Sequence, residues 1–249
     1  MAKVLEICVD SLSSVRAAVR GGADRIELCS ALTVGGLTPY EMLLRQIREE
    51  SNIPVRCLMR PRGGDFLYEK EEIEMLKRQI LQLKEAGADG FVIGCLTPDG
   101  DLDKEAMKPL IDACGGSGIT LHRCIDVSRD PVEIWQKAGE LGIDTVLTSG
   151  GAGNCLAGME TIGNMLILRQ QFGGPEVLIG AGVKASVIRA FRERYPQSEA
   201  FHMSGKCEIE SGMRLRREGV PMGVPGLDEW HIQQTSEAAV REARSALYD

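Results

Sequence analysis

Two glutamate–cysteine pairs have the residue types and the spacing that metal or acid–base chemistry requires. Glu6 and Cys8 lie in the segment LEIC, and Glu27 and Cys29 lie in the segment IELC. Residues two apart on an extended strand share one side of it, so each pair is expected to face one way. Carboxylates suit proton transfer or hard divalent cations, whereas buried free thiols usually behave as small hydrophobic side chains.

The same glutamates have a structural interpretation. A carboxylate inside a protein is costly unless it is paired or bound. Glu6 and Glu27 would then form an interior salt-bridge network with nearby arginines, for which the candidates are Arg25, Arg60 and Arg123. Interior ion pairs also occur around active sites, so the two interpretations are compatible.

The segment RPRGGDFLY (60–68) is a candidate anion-binding loop. Arg60 and Arg62 carry planar donor groups suited to carboxylate or phosphate. The glycines between them and Asp65 let a ligand approach the backbone. Asp65 is expected to order the guanidinium of Arg60 or Arg62. The alternative is that Arg60 is fully paired with Glu27 or Glu6 and that no anion binds.

Histidines and glycine-rich turns add further candidates. The chain has only 3 histidines, and two of them, His122 and His202, fall at predicted strand ends. A histidine at the end of a barrel strand is more consistent with a functional role than with simple packing in the core. Their neighbours Arg123, Asp126 and Ser204 are included as candidates.

Glycine turns at TSGGAGN (148–154) and GAGVK (180–184) suggest that the amides near Ser149, Gly150 and Gly182 bind an anion. Backbone amides at turns that lead into helices form such sites. Glycine at such turns is also ordinary turn chemistry.

A repeated pattern predicts the elements that position these residues. Three segments each follow a helix-like stretch: GGADRIEL, AGADGFVIG and LGIDTVLTSG. Each contains a glycine that would end the helix, then an aspartate, then a short apolar run typical of a buried strand. The whole chain then gives strands at 3–9, 24–29, 54–59, 89–94, 118–124, 144–149, 176–181 and 199–204. Helices are predicted at 12–21, 39–51, 70–86, 103–114, 131–141, 157–172, 184–195 and 233–247.

This alternation predicts an α/β fold, a single (β/α)8 TIM barrel, with a long segment between strand eight and the last helix. A doubly wound open sheet is the alternative, but no G-x-G-x-x-G motif follows the first strand. The barrel is expected to be one domain over 1–249, with 205–232 an irregular lid or interface segment. In such barrels the active face lies at the carboxyl ends of the strands, where all the candidates above fall.

Composition excludes several classes of protein. The net charge of -7 argues against nucleic acid as a partner. No apolar run is long enough to span a membrane, and the N-terminus lacks the features of a signal peptide, so we expect a cytoplasmic protein. The 8 cysteines are scattered without a C-x-x-C pair, as expected for free thiols in a reducing compartment.

The motifs LEICVDS, GGADRIELCSAL, GGLTP, LMRPRGGDFLY, LHR..D, LTSGG and FH.S occur in an order that resembles the CutC copper homeostasis proteins. The resemblance covers about residues 4 to 223 and implies a cytoplasmic (β/α)8 barrel with a role in copper handling. It also implies Cu(I) ligands at Cys8 and Cys29, which could share one ion if they lie at similar height on neighbouring strands. The chain departs from the family with GAGV in place of PGGG, LHRCID in place of FHRAFD, and MSGK after FH.

The charged residues of the barrel mouth suit an enzyme better than a metal carrier. In this alternative the protein is a lyase or isomerase acting on a small anionic, possibly phosphorylated metabolite, without a direct role in copper handling. Glu6 or Glu27 would be the general base and His122 the acid or electrophile. Arg60 and Arg62 would hold the anion, with help from the glycine-turn amides. The glutamates with His122 could instead hold a divalent cation, or no cofactor is needed. In either case we expect a homodimer or a higher homo-oligomer.

Overall fold

The computed structural model describes residues 3–217, 219–220, 222–223 and 228–249. Parallel strands in chain order close into a barrel, which confirms the predicted (β/α)8 fold. The barrel strands are β1 (Val4–Val9), β2 (Arg25–Leu28), β3 (Val55–Leu58), β4 (Gly90–Ile93), β5 (Gly118–Leu121), β6 (Thr145–Thr148), β7 (Glu176–Ile179) and β8 (Ala200–Met203). Pairing of β8 with β1 completes the ring.

A layer of helices surrounds the barrel. The helices are α1 (Leu12–Gly21), α2 (Glu41–Glu50), α3 (Lys70–Glu85), α4 (Lys104–Cys114), α5 (Pro131–Glu140), α6 (Met159–Phe172), α7 (Ala185–Arg194) and α8 (Glu237–Tyr248). The last helix, α8, contacts both α7 and α1, so it closes the helix layer as the β8–β1 pair closes the sheet. No helix of the described residues is long and apolar enough to cross a membrane.

The repeated glycine–aspartate pattern has a structural role in each copy. The glycines adopt positive φ where the preceding helix ends, at Gly22 (90°), Gly87 (101°) and Gly142 (77°). Each aspartate accepts a hydrogen bond from a backbone amide at or near the start of the preceding strand, in the pairs Asp24 with Leu5, Asp89 with Val55, and Asp144 with Ile119. The repeat therefore fastens β2 to β1, β4 to β3 and β6 to β5.

Side chains alternate between the two faces of β1 and β2 as predicted. Leu5, Ile7 and Val9 belong to the apolar core between strands and helices. Cys8 and Cys29 form a separate buried cluster with Leu58 and Val92. The two glutamate–cysteine pairs therefore point into the barrel.

Arg56 fills the interior at the amino-terminal end of the strands. Its guanidinium donates to Thr120 (2.5 Å) and Asp144 (2.7 Å). A Cβ atom built on Gly118 would lie 2.7 Å from the Arg56 guanidinium, so glycine is needed there for the close approach. Arg56 with its partners therefore forms a polar layer inside the barrel at this end of the strands.

The structure differs from the predicted elements in two places. Strand β5 ends at Leu121 and not at 124, because a 3-10 helix (Arg123–Val127) begins directly after His122. The segment 205–232 is less irregular than predicted, since β9 (Lys206–Glu210) pairs antiparallel with β10 (His231–Thr235). Helix α8 consequently begins at Glu237 and not at 233; the tip of this hairpin includes residues outside the described ranges.

Candidate functional site

A cavity of about 550 Å³ lies at the carboxyl ends of the strands, where the predicted site residues were expected. The predicted residues that line it are Cys8, Glu27, Arg60, His122, Arg123, Asp126, Gly182, His202 and Ser204. The predicted residues Glu6, Cys29, Arg62, Asp65, Ser149 and Gly150 do not belong to this lining. The cavity therefore unites most of the candidates but separates the members of both glutamate–cysteine pairs.

Glu6 lies at the base of the site, completely buried between two basic side chains. Strand register places Arg25 and His202 opposite it, one on each neighbouring strand. Arg25 Nε donates to Glu6 Oε2 at 2.5 Å, and His202 Nδ1 lies 2.7 Å from Glu6 Oε1. Burial alone would raise the pKa of Glu6, but the charge of Arg25 and the bond to His202 outweigh it and lower that pKa to about 2. Glu6 is therefore a fixed carboxylate that orients His202.

Glu27 has a different environment, although its sequence context is the same. No arginine pairs with it among the described residues: its partners are the Cys29 thiol at 3.4 Å and His202 Nε2 at 3.8 Å. Burial raises the pKa of Glu27 above its usual value. The predicted interior salt bridge is thus present for Glu6, with Arg25, and absent for Glu27.

Register also decides the heights of the two cysteines. Cys8 lies opposite Glu27 and not opposite Cys29, which is two residues farther along β2. The two thiols are therefore offset by two residues along the strand pair, and their sharing of one ion stays a prediction. Cys29 is fully buried, and burial together with the neighbouring Glu27 raises the pKa of its thiol well above the usual value.

Arg60 is held by backbone carbonyls, and no carboxylate pairs with it among the described residues. Nη1 donates to the carbonyls of Val34 (3.0 Å) and Gly36 (3.2 Å), and Nη2 donates to that of Gly64 (2.9 Å). The guanidinium also lies 5.1 Å from the ring centre of Phe66. The loops after β2 and β3 occupy Nη1 and Nη2, whereas Nε has no partner among the described residues. The pairing with Glu27 or Glu6 is not found among the described residues, and the binding of an anion by Arg60 stays a prediction.

Arg62 and Asp65 lie outside the cavity. Arg62 donates to Asp65 at 2.9 Å and to Glu72 at 2.8 Å, at the exposed start of α3. Asp65 therefore orders Arg62, one of the two options that the sequence left open. Of the two arginines of the predicted anion-binding loop, Arg60 lines the cavity and Arg62 does not.

His122 is a buried, uncharged imidazole in the cavity wall. Its Nδ1 accepts from the backbone amide of Cys124 at 3.2 Å, so the proton is on Nε2, which has no partner among the described residues. Burial and the charge of Arg60 lower the pKa of His122 to about 3. The Phe66 ring lies 4.8 Å from the imidazole, and a Cβ on Gly94 would lie 2.5 Å from His122 Cε1. Phe66 and Gly94 were not predicted, since only the folded loop brings them to the histidine.

Asp126 occupies the amides that the sequence assigned to an external anion. It accepts from the backbone amides of Ser149 (2.9 Å) and Gly151 (3.1 Å), from the Thr148 hydroxyl (2.6 Å) and from Arg123 Nε (2.8 Å). The Gly150 amide donates to Thr148 Oγ1. The Ser149 amide thus binds a carboxylate of the protein itself, and the Gly150 amide binds a hydroxyl of the protein.

The loops after β7 and β8 complete the cavity wall. Gly182 and Ala181 line it, and Ala181 has a φ of 69°, a strained value for a residue with a side chain. The stem of the β9–β10 hairpin contributes Lys206 and Gln233 to Thr235. Lys206, at the start of the segment predicted as a lid or interface, therefore borders the cavity, as do the residues that directly follow this segment.

The sequence matches the CutC family over residues 3–206. The chain belongs to this family. A family protein CutC from Chromobacterium violaceum is 39% identical over 99% of this chain and 99% of its own length. The human copper homeostasis protein cutC homolog is 39% identical over 96% of this chain and 86% of its own length.

A solved structure supports the same assignment. The candidate copper homeostasis protein CutC of Streptococcus agalactiae superposes with a TM-score of 0.75 at 25% sequence identity. The match covers 81% of this chain and 98% of that chain. The resemblance that the motifs indicated is thereby confirmed at the level of family and fold.

Proposed function

We propose that this CutC-family protein handles copper in the cytoplasm and binds one Cu(I) ion through the thiolates of Cys8 and Cys29. The observation that carries the proposal is that both thiols belong to one small buried cluster and that Cys8 also lines the cavity. Sulfur is the donor that Cu(I) prefers. The name of the human relative, a copper homeostasis protein, supports copper as the ion.

The donor set fits Cu(I), with one requirement. The Cys29 thiol donates to Glu27 and has a pKa well above its usual value, so it must lose its proton when the ion binds. Metal binding that releases protons weakens as the pH falls. Copper affinity is therefore expected to rise with pH through the neutral range.

Cu(I) titration against a competing chromophoric chelator tests the proposal. Of the eight free cysteines only Cys207 is exposed, so the titrations use Cys207→Ser as the common background. We expect one equivalent of Cu(I) in this background and none at the site after Cys8→Ser with Cys29→Ser. Cys114→Ser, which removes a buried thiol at the end of α4, is the matched control. Unchanged stoichiometry and affinity in the double variant would contradict the proposal.

The remaining expectations about organisation belong to the same proposal. We infer a cytoplasmic location from the free thiols, which a reducing compartment preserves. We infer one domain over 1–249, which a single cooperative unfolding transition would support. We infer a homodimer or a higher homo-oligomer, for which light scattering coupled to gel filtration gives the mass directly.

A second candidate function is an enzyme that acts on a small anionic metabolite. The observation that favours it is the neutral His122 in the cavity wall, whose Nε2 proton has no partner among the described residues. Glu27 lines the same cavity, and its raised pKa suits a general base. Glu6 does not suit this role, because it is fully buried and held by Arg25.

Thermal-shift measurements with a panel of small carboxylates and phosphates test the enzyme candidate. We expect one class of anion to stabilise the protein and His122→Asn to abolish that stabilisation. Arg62→Met is the matched control, because Arg62 lies outside the cavity lining. If no anion raises the melting temperature, or if Arg62→Met abolishes the effect as well, this candidate is wrong.

A further inference from the structure

Three side chains from three neighbouring strands converge at the floor of the cavity. The Cys8 sulfur, a Glu27 carboxylate oxygen and a His202 ring nitrogen all lie within 4.8 Å of one another. All three residues are buried and all three line the cavity. Cys29 is not a member of this group. The thiol that faces the cavity thus has an oxygen and a nitrogen donor as its neighbours.

The register of the barrel causes this convergence. Cys8 lies opposite Glu27 on one side of β1, and Glu6 lies opposite His202 on the other side. Neighbouring strands are about 4.8 Å apart, and side chains on one face of a strand recur every second residue. Three adjacent strands can therefore present one donor each to a common point, and the direction of each donor is fixed by backbone pairing.

The orientation of His202 points its second nitrogen at that common point. Nδ1 lies 2.7 Å from Glu6 Oε1, and Nε2 then faces Glu27 Oε2 at 3.8 Å. In metal sites a ligating histidine almost always donates its other N–H to a carboxylate or carbonyl, which fixes the ring and leaves a lone pair for the ion. Glu6, itself held by Arg25, occupies the position of that outer carboxylate.

The distance between Nε2 and Oε2 is informative. At 3.8 Å the two atoms are too far apart for a hydrogen bond. With metal–ligand bonds of about 2.1 Å, two ligand atoms are about 3.4 Å apart in a tetrahedral site and about 4.2 Å apart when they lie opposite each other. The observed separation falls between these limits, so one ion fits between the two atoms with little movement.

We propose that Cys8, Glu27 and His202 form a three-ligand site for a divalent first-row cation of the Zn²⁺ type, whose open coordination position faces the cavity. Mixed sulfur, nitrogen and oxygen donors suit such an ion, whereas Cu(I) gains little from a carboxylate. Three protein ligands with a free position are typical of catalytic and not of structural zinc sites. This site shares only Cys8 with the copper site proposed above, so the two proposals can be tested apart.

Metal titrations on matched variants separate the two sites. In the Cys207→Ser background we expect one equivalent of Zn²⁺, measured by calorimetry and by competition with a chelating dye. Glu27→Gln and His202→Asn should each weaken Zn²⁺ binding by more than about 100-fold, and Glu6→Gln by about 10- to 100-fold, the usual effect of an outer partner. Cys29→Ser should retain the Zn²⁺ affinity of the background.

The outcomes distinguish failure of either proposal. Background affinity in both Glu27→Gln and His202→Asn would overturn the Zn²⁺ site, whatever the copper result. Loss of Zn²⁺ in Cys29→Ser as large as in Cys8→Ser would also overturn it, because the ion would then be held by two thiolates. Cu(I) binding that survives removal of both cysteines, with the Zn²⁺ results as expected, would refute the copper proposal alone.

A spectroscopic measurement on the Cys207→Ser protein avoids dependence on the folding of the active-site variants. Zn²⁺ K-edge X-ray absorption of the loaded protein should show one sulfur at about 2.3 Å and the remaining ligands as nitrogen or oxygen at about 2.0–2.2 Å. Two sulfur ligands, or none, would contradict the proposed ligand set. Far-ultraviolet circular dichroism of each variant checks that a lost ion does not reflect a lost fold.

Discussion

Replacing His122 by asparagine should remove part of the acid sensitivity of this protein. In the folded state His122 is buried, and burial with the charge of Arg60 lowers its pKa to about 3. In the unfolded chain the same residue has an ordinary pKa of about 6.5. Below pH 6.5 the unfolded state therefore binds a proton at this residue that the folded state does not bind. The free energy of unfolding consequently falls as the pH falls toward 3.

The magnitude at pH 5 depends little on the exact folded-state value. One pH unit between the two pKa values corresponds to about 1.4 kcal/mol, so lowering the pH from 7 to 5 costs about 2 kcal/mol from this residue alone. This figure holds as long as the folded pKa lies below about 4. Asparagine does not titrate, and its oxygen can accept the bond that His122 Nδ1 accepts from the Cys124 amide.

Urea unfolding at pH 7 and pH 5 measures the effect. We expect the difference in unfolding free energy between wild type and His122→Asn to change by about 2 kcal/mol in favour of the variant on acidification. Other groups that titrate in this range contribute equally to both proteins and cancel. Gly63→Ala, which changes no titratable group and places its Cβ more than 4 Å from any atom of a non-neighbouring residue, is the control and should keep the wild-type pH dependence. Equal pH dependence of His122→Asn and wild type would refute the assignment of a buried neutral imidazole.

Three further perturbations test the packing of the site by urea unfolding at neutral pH. Arg60→Met should lower the unfolding free energy by about 3 kcal/mol, because three backbone carbonyls lose a charged donor, whereas Arg62→Met at the surface should cost about 1 kcal/mol or less. Gly94→Ala should cost about 1–3 kcal/mol, since its Cβ would lie 2.5 Å from buried atoms, whereas Gly63→Ala, with no atom within 4 Å of its Cβ, should have little effect. Arg25→Met should cost about 3–5 kcal/mol, because it leaves a fully buried carboxylate without its counter-charge. Effects that do not differ between the paired variants, or an Arg25→Met protein as stable as wild type, would contradict these packing assignments.

Much of the architecture could be predicted because it depends on local patterns. Glycines at helix ends and short apolar runs predicted the positions of the strands and helices. The alternation of side chains along a strand predicted that each glutamate–cysteine pair shares one face. The strand five boundary and the β9–β10 hairpin were the exceptions. Strand β5 ends before His122, because the His122 side chain accepts a hydrogen bond from the Cys124 amide in the first turn of a 3-10 helix. This local bond leaves no hydrophobic pattern in the sequence.

The partners of Arg60 could not be predicted, because they are backbone carbonyls of loops whose path the sequence does not reveal. Val34 and Gly36 belong to the loop after β2, and Gly64 belongs to the loop that Arg60 begins. The same reason applies to Asp126. Its carboxylate accepts from amides of the next loop along the barrel. A glycine-rich segment has the same sequence pattern whether its amides bind a ligand or a side chain of the protein itself.

The unequal roles of Glu6 and Glu27 show what strand register adds to a repeated motif. Both residues stand in the same E-x-C context, and the sequence gives no reason to separate them. The strand register places Glu6 opposite Arg25. It places Glu27, two residues farther along β2 than Arg25, opposite Cys8. Glu6 therefore pairs with Arg25 and orients His202. Glu27 instead lines the cavity, and no arginine pairs with it among the described residues. A cation at the common point of Cys8, Glu27 and His202 would supply to Glu27 the positive charge that Arg25 supplies to Glu6.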